Sequence, residues 1–440
     1  MQDRLIRTLA VLGPSPARTL MAELQISQST LSRLVQGMRD AVVVGGRARA
    51  TRYGARRQIL GVVAPIPVYD VAPSGKVRFF SRLYPVEPAG FWQEPAHPRA
   101  VAAWCPDLPW FLQDARPAGF LGRLEPRRHP ELGLPLDIRS WSTDQVLRFL
   151  TREGSDVVGA FIVGDDAYQR FRQRASDLAG ERLVDDSDYP RLAETVLSSG
   201  QAGSSAAGEQ PKFLTTRASD DGARAVLVKF SPPGGEVVGR RVADLLVCEH
   251  LALKTLQAAG VPASSSRIFV AADGVGRTFL EVERFDRLGA GRRGLVSLAS
   301  LDAQFVGGEH RRWPQSTQLL LRQGIISADD HRHVRFLDLF GGLIGNNDMH
   351  FGNVSFFLDG ADVGGLAPIY DMLPTRYAPV AGEIVSRAVE LVLPTPQDAD
   401  LAEGVVAAAR SFWQAVVDDE RIGAGVSDIA RAHLSRLARL

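Results

Sequence analysis

Leu339-Phe340-Gly341-Gly342-Leu343-Ile344-Gly345-Asn346-Asn347-Asp348-Met349-His350-Phe351-Gly352-Asn353-Val354-Ser355-Phe356-Phe357 is the stretch on which the fold turns. It begins and ends apolar and traps a dense polar cluster between. Apolar flanks anchor such a cluster in a core while its polar side chains face a cleft. Asp348 is followed five positions later by Asn353. Phosphoryl-transfer loops use this spacing, the Asp accepting a hydroxyl proton and the Asn holding a metal ion. The same chemistry needs a second carboxylate, roughly twenty residues on, for the metal bridging the phosphates. Asp371, in Ala367-Pro368-Ile369-Tyr370-Asp371-Met372-Leu373-Pro374, stands there. The rest of the chain must then supply a lysine and a phosphate-covering loop.

Upstream, 198–213 is a run of small residues, Ser205-Ala206-Ala207-Gly208-Glu209-Gln210-Pro211-Lys212 at its end. Small residues let backbone N–H groups approach phosphate oxygens, and the glycines make φ > 0 available. No Gly-Lys-Ser/Thr follows, so this is not a Walker A loop. Two strands are expected next, one over 211–216 and one over 225–230 that carries Lys229 near its end. A lysine so placed holds the α- and β-phosphates of a nucleotide. A helix over 240–260 follows, and either Asp244 or Glu249 is placed to pair with Lys229. The segment 278–287 reads as a strand leaving this lobe, with Glu283-Arg284-Phe285 as the connector whose backbone meets an adenine.

A chain of 440 residues exceeds one ordinary core, so several domains are expected. Its boundaries read as 1–60, 61–190, 191–287 and 288–440. Two cysteines, Cys105 and Cys248, make no disulfide framework and lack neighbours at zinc-ligand spacing. No stretch approaches the roughly 18 apolar residues that span a bilayer, and the start lacks a secretory pattern. The expectation is a cytoplasmic protein with no membrane partner. The overall charge of +1 hides an asymmetry: residues 1–60 carry ten Arg against three acids, so the other 380 carry −6. A basic module on a mildly acidic body suggests an anionic polymer as partner of the first part only.

That first part patterns as helices over 3–12, 17–24 and 28–38, then two strands, Val42-Val43-Val44 and the arginine-rich 47–53. The third helix turns Gln28, Ser29, Thr30, Ser32 and Arg33 outward, residue types that reach base edges and phosphates. Arg47, Arg49, Arg52, Arg56 and Arg57 are expected along a phosphate backbone. The pattern resembles a winged helix-turn-helix that binds duplex DNA; a dimerisation or docking module is the alternative. Winged helices usually read DNA in pairs, which makes a homodimer an expectation. The middle of the chain shows a hairpin at 68–80 and helices at 142–153 and 165–178, with no catalytic spacing; it reads as a small α+β scaffold. Glu309-His310-Arg311-Arg312-Trp313 reads as a solvated charged loop, and 401–440 as helical packing of the last lobe.

Taken together, the segments 205–212, Val228-Lys229, Val282-Glu283-Arg284-Phe285-Asp286-Arg287, 343–353 and Pro368-Ile369-Tyr370-Asp371 resemble the HipA-like serine/threonine kinases of bacterial toxin–antitoxin systems. The fused N-terminal module is similar to the YjjJ branch of that family. The resemblance covers about residues 65–400. It implies an α+β, two-lobed protein-kinase-like fold preceded by the winged module, using ATP and Mg²⁺. It also implies Asp348 as proton acceptor, Asn353 and Asp371 as metal ligands, and Lys229 as the phosphate lysine. Ala207, Gly208, Glu209, Gln210, Pro211, Lys212, Glu283, Arg284, Phe285, His350 and Tyr370 would complete the ATP site. Ser205 would be an autophosphorylation site, where nearly two added negative charges repel ATP. The substrate would be a protein, a translation component being one candidate. The sequence departs from the family pattern at Glu209, where a small residue is common, and at Met349, where Gly is frequent.

Three alternatives stand beside this reading. Asp348, His350 and Asp371 would also suit a hydrolytic metal site, which leaves Lys229 and the small-residue loop without a use. His350 is equally readable as a structural histidine. The whole is also readable as a DNA-binding regulator whose kinase body senses nucleotide without catalysis.

Overall fold

The computed structural model describes residues 1–97, 101–177, 183–200, 210–219, 222–272, 274–308 and 312–439. The chain divides into two units. The first is Met1–Ala118 with Arg128–Glu181 and Ala290–Arg292; the second is Gly119–Arg127 with Arg182–Gly289 and Arg293–Leu440. The basic N-terminal module thus shares a unit with the middle region, and both expected lobes share the other.

The first unit opens with α1 (Gln2–Leu12), β1 (Ser15–Pro16), α2 (Ala17–Leu24), α3 (Gln28–Gln36), β2 (Val42–Gly45) and β3 (Arg52–Ala55). Leu5, Leu9, Leu20, Leu24, Leu31 and Val35 sit at helical spacing and close one core with Val42 and Ala55. Ser27 caps α3 by accepting from the Thr30 amide, the usual way a Ser satisfies an orphan donor. The wing has three strands in the order β1-β3-β2, where the sequence suggests two. The extra strand is two residues long and ends in Pro16, which has no N–H to donate and suits an edge.

A five-stranded antiparallel sheet follows, built from β4 (Ile66–Val71), β5 (Val77–Pro85), β6 (Phe91–Pro95), β7 (Ala103–Cys105) and β8 (Phe161–Val163) in the order β7-β6-β5-β4-β8. After α4 (Gly119–Arg128), which belongs mainly to the second unit, α5 (Thr143–Glu153) and α6 (Asp165–Asp177) complete this scaffold. A Ser142–Gln145 capping box starts α5. The wing is fastened to the sheet through Val43, Val86 and Trp92. The Trp92 ring lies so close to Gly45 that a Cβ there would sit 2.0 Å from it. Only glycine fits.

In the second unit α7 (Tyr189–Gly200) precedes β9 (Lys212–Ser219), β10 (Gly222–Phe230), α8 (Val237–Ala258), β11 (Ser266–Val270) and β12 (Thr278–Glu283). The strands form an antiparallel sheet in the order β11-β12-β10-β9. Tyr189, Phe213, Val226, Val228, Phe230 and Phe279 fill one of its faces. The rest is α9 (Leu298–Leu301), α10 (Trp313–Arg322), α11 (Ala328–Ile344), α12 (Ala399–Asp418) and α13 (Ala424–Leu437), with three short antiparallel strands at Gly294–Ser297, Ser355–Asp359 and Asp362–Leu366. The fold is α+β, as expected. Trp313 corrects the expectation of a solvated loop: it is 1% exposed and starts a helix. Its neighbour Arg312 is ion-paired with the buried Asp338. No helix among the described residues is long and apolar enough to cross a membrane.

Candidate active site

The loop quoted at the outset is delivered by α11. A Ser327–Asp330 capping box opens this helix, and its last turns bury Leu339, Phe340, Leu343 and Ile344. Gly345, at φ 78°, ends it in the left-handed conformation that glycine adopts at least cost. The chain then reverses. The His350 ring Nδ1 accepts from the Gly352 amide at 3.1 Å and caps a single 3₁₀ turn, Phe351–Asn353. An accepting Nδ1 leaves the neutral ring's proton on Nε2. The turn folds Asn353 back, so that its Nδ2 donates to the Asp348 carbonyl at 2.8 Å. This bond gives the five-residue spacing a structural reason, and leaves Asn353 Oδ1 as an oxygen donor. The Trp313 indole N–H reaches the His350 carbonyl at 3.2 Å, and the Tyr370 hydroxyl the Gly352 carbonyl at 3.0 Å. Asp348 itself is exposed, and its carboxylate has no partner among the described residues.

Lys229 lies near the end of β10, opposite Lys212 of β9. Its ammonium donates to both carboxylate oxygens of Glu249, at 2.7 and 2.8 Å, and to Asp371. Glu249 is therefore the carboxylate that α8 presents. Five residues round a helix of 3.6 per turn is a rotation of about 140°, so Asp244 faces elsewhere. It accepts from the Gly423 amide at 2.9 Å and helps tie α8 to α13. Asp371 reaches Lys229 because Ile369 bridges to the segment ahead of β11, the Ser264 amide donating to its carbonyl and its own amide to that of Pro262. Asp371 holds φ 53°, a left-handed conformation that costs a non-glycine residue about 1–3 kcal/mol. Strain of this kind is found where a side chain must be aimed.

The electrostatics follow from burial and pairing. Burial alone would push the Lys229 ammonium down, yet the carboxylates of Asp371 and Glu249 outweigh it and hold it raised. Burial pushes Glu249 up against the pull of Lys229. Burial would also raise Asp371, but Lys229 and Lys212 override it and bring it to about 2. Asp371 keeps a third of its side-chain surface open, against 1% for Glu249. It is the carboxylate of the pair that a ligand can reach.

The other expected site residues divide. Ser205, Ala207, Gly208 and Glu209 lie outside the described residues. Gln210 spends its side-chain amide on the Phe230 carbonyl, and Pro211 accepts the Phe230 amide at 3.2 Å, so these two brace the strand end. Glu283 is ion-paired with Arg224 at 3.6 Å and Arg284 with Asp286 at 3.1 Å, and their backbone amides donate to the Ser265 and Ala225 carbonyls at 2.9 and 3.0 Å, so neither amide is the one expected to meet a base. Phe285 packs its ring 6.2 Å from that of Tyr370. Asn346 and Thr375, which sequence reasoning passed over, cross-link the loop to the Asp371 segment. The adjacent asparagines at 346 and 347 were the only signal.

In the first unit, Gln28, Ser29, Ser32 and Arg33 are exposed along α3, and Arg47, Arg49 and Arg52 on the wing. Ser29 and Thr30 are partly engaged with the Ser27 hydroxyl, and Arg52 donates to the Pro14 carbonyl at 3.3 Å. Arg57 corrects an expectation. Rather than lining a phosphate backbone, it makes a bidentate pair with Asp144 at 2.6 and 2.7 Å and donates to the Val86 carbonyl. Arg56 lies over the Tyr84 ring at 4.6 Å. Both serve the joint between wing and scaffold.

A buried lysine gripped by a helix glutamate, beside an aspartate loop whose carboxylate is unpartnered among the described residues, accords with a kinase-like α+β fold. Comparison with known proteins narrows the class. The HipA-like C-terminal domain matches residues 204–432, and the middle domain of YjjJ-like toxins matches 62–172. Over 428 residues the chain is 36% identical to Toxin YjjJ of Escherichia coli (strain K12), covering 96% of this chain and 95% of that one. The chain belongs to the HipA-like toxin family, in its YjjJ-like branch. Among solved structures, a chain of the Shewanella oneidensis MR-1 toxin–antitoxin system HipA, HipB and its operator DNA complex aligns with a TM-score of 0.47 and 15% identity, over 84% of this chain and 97% of that chain. The Helicobacter pylori proinflammatory kinase CtkA aligns with a TM-score of 0.35 and 12% identity, over 52% and 92%.

Proposed function

We propose that this chain is an ATP- and Mg²⁺-dependent serine/threonine protein kinase with an N-terminal module that binds duplex DNA. The observation that carries it is Lys229, held between Glu249 and Asp371 while Asp348 stays unpartnered among the described residues. The donor set fits the cofactors. Asn353 Oδ1 and the open Asp371 carboxylate are hard oxygen donors of the kind Mg²⁺ prefers. Lys229 and Lys212, partners across β10 and β9, would grip phosphate oxygens. The bound nucleotide and metal would supply the transferable phosphoryl group and the charge that neutralises it. Asp348 accepts the proton of the attacking hydroxyl, its carboxylate being exposed and unspent. Glu249 keeps Lys229 charged and extended, and His350 offers its Nε2 proton to a phosphate. On the basic module, Gln28, Ser32, Arg33, Arg47 and Arg49 read and grip DNA, with autoregulation as the outcome.

The test is transfer of label from γ-labelled ATP with Mg²⁺, to the protein itself and to a cell lysate, comparing the native chain with Asp348→Ala. Label in the first and none in the second is expected. No label from the native chain refutes the kinase and leaves a nucleotide-sensing regulator.

A further inference from the structure

We propose that Asn346 is a positioning residue that sets the catalytic loop against the Asp371 segment, with Thr375 as its second half; this rests on the kinase reading above. Asn346 is 8% exposed and immediately follows the left-handed Gly345. Its Oδ1 accepts from the Asp348 amide at 3.0 Å and lies 2.9 Å from the Thr375 hydroxyl. Its Nδ2 lies 3.5 Å from the Asp371 carbonyl, the long end of the hydrogen-bond range, and 3.5 Å from the Met372 sulfur. The Thr375 hydroxyl in turn accepts from the Asn347 amide at 2.8 Å and lies 2.7 Å from Asn347 Oδ1.

The chemistry of these groups fixes the arrangement. An amide oxygen has two acceptor sites, and both of Asn346's are filled, by Asp348 N–H and by Thr375. With the oxygen so committed, the NH₂ can only face Asp371. A threonine hydroxyl has one proton. Asn347 is exposed and can be served by water, whereas Asn346 is buried, so the proton is best spent on Asn346. The backbone under the proton acceptor Asp348 is thereby tied to the backbone that aims Asp371, 23 positions later. The polar atoms of both side chains are engaged with groups of the protein itself. They act through Asp348.

This role predicts a split in kinetics. In the full chain, Asn346→Ala and Thr375→Val lower kcat at least tenfold while KM for ATP stays within threefold, because Lys229 and β10 are untouched and Asp371 is still held by the pairing of Ile369 with Pro262 and Ser264. Thr375→Ser, which restores the hydroxyl, recovers kcat to within threefold of native. Hydrogen–deuterium exchange gives a readout that needs no turnover: amides of 346–353 exchange at least tenfold faster in Asn346→Ala and Thr375→Val, with α8 and β10 unchanged. Native exchange at 346–353 in both variants overturns the clamp. So does native kcat in an active enzyme, failure of Thr375→Ser to rescue, or faster exchange spread across the whole unit. A native chain without turnover sinks the kinase reading, and exchange then decides the clamp by itself.

Discussion

Lys229 has two counter-ions where one would satisfy it, and this redundancy predicts non-additive energetics. Its side chain is 7% exposed and Glu249's 1%. In Glu249→Gln, Asp371 still neutralises the ammonium and the amide oxygen still accepts; in Asp371→Asn, Glu249 does the same. Each single change therefore costs about 1–2 kcal/mol, the loss of charge from a hydrogen bond to a charged group. The double variant leaves a buried ammonium with no carboxylate, a defect of about 3–5 kcal/mol beyond the lost bonds. The expected coupling energy is that same excess, about 3–5 kcal/mol, measured by urea unfolding with amide exchange of α8 and β10 as the probe. The pH dependence supplies a second reading. In the native chain the Lys229 pKa is raised, so its stabilisation is complete below the unfolded value near 10.4 and is lost as pH rises through the folded value. In the double variant only burial remains and the folded pKa drops below the unfolded one. Protons are then lost more readily from the folded state, and stability rises with pH in the alkaline range. Additive single effects, within about 0.5 kcal/mol, together with parallel alkaline slopes would refute the reasoning.

Other expectations are more local. His433 is wholly buried, stacked on Trp413 and bonded to the Tyr377 hydroxyl at 2.7 Å, and burial lowers its pKa to about 4. The unfolded chain takes up its proton near pH 6.5, so stability is present above that pH and about 3 kcal/mol is lost as pH falls towards 4; His433→Gln should flatten that slope in acid unfolding. Gly45→Val drives a side chain into the Trp92 ring and should cost about 1–3 kcal/mol in thermal unfolding, with altered indole fluorescence. Arg33→Ala should weaken duplex binding across sequences and reduce the salt slope by about one, read by fluorescence anisotropy from low to moderate salt.

Much of the site was readable because its parts are local. Asp348, Asn353 and the turn between them are one hydrogen-bonded unit, so their spacing survives as a sequence signal. Lys229 was readable from the alternation of β10. The choice between Asp244 and Glu249 was not, because both sit on one buried helix and only the partners at the far side decide. Those partners are Gly423 for the one and Lys229 for the other, both remote in sequence. Arg57 misled for a related reason. A basic run suggests a solvated phosphate grip, but the Asp144 that claims this arginine lies 87 positions away. Trp313 was hidden by its neighbours, since four polar residues before it mask an indole that starts α10 in the core. Departure from the family pattern at Met349 does have a local explanation. Its sulfur packs on α11 where a Cβ at Gly341 would lie 2.4 Å away, so the helix glycine makes room for the loop methionine.

The charges around Lys229 lead to one more prediction. Lys212 and Lys229 stand opposite each other across β9 and β10, a like-charge pairing that is unfavourable by itself. Glu249 and Asp371 offset it, and Lys212 acts on both carboxylates. The four groups sum to zero, so by themselves they offer a polyphosphate no net positive charge. Asp371, ionised at any pH well above about 2 and a third exposed, opposes an incoming anion. A divalent cation held by Asn353 and Asp371 would reverse that sign, so nucleotide affinity should depend on metal through the chain's own charges and not only through turnover. ATP should bind at least tenfold more weakly in EDTA than in Mg²⁺, measured by calorimetry on the native chain. Asp371→Asn should narrow the gap from both sides, binding better than native in EDTA and worse in Mg²⁺. Equal affinities with and without metal, or a variant that loses affinity under both conditions, would mean that Asp371 serves the fold and not the metal.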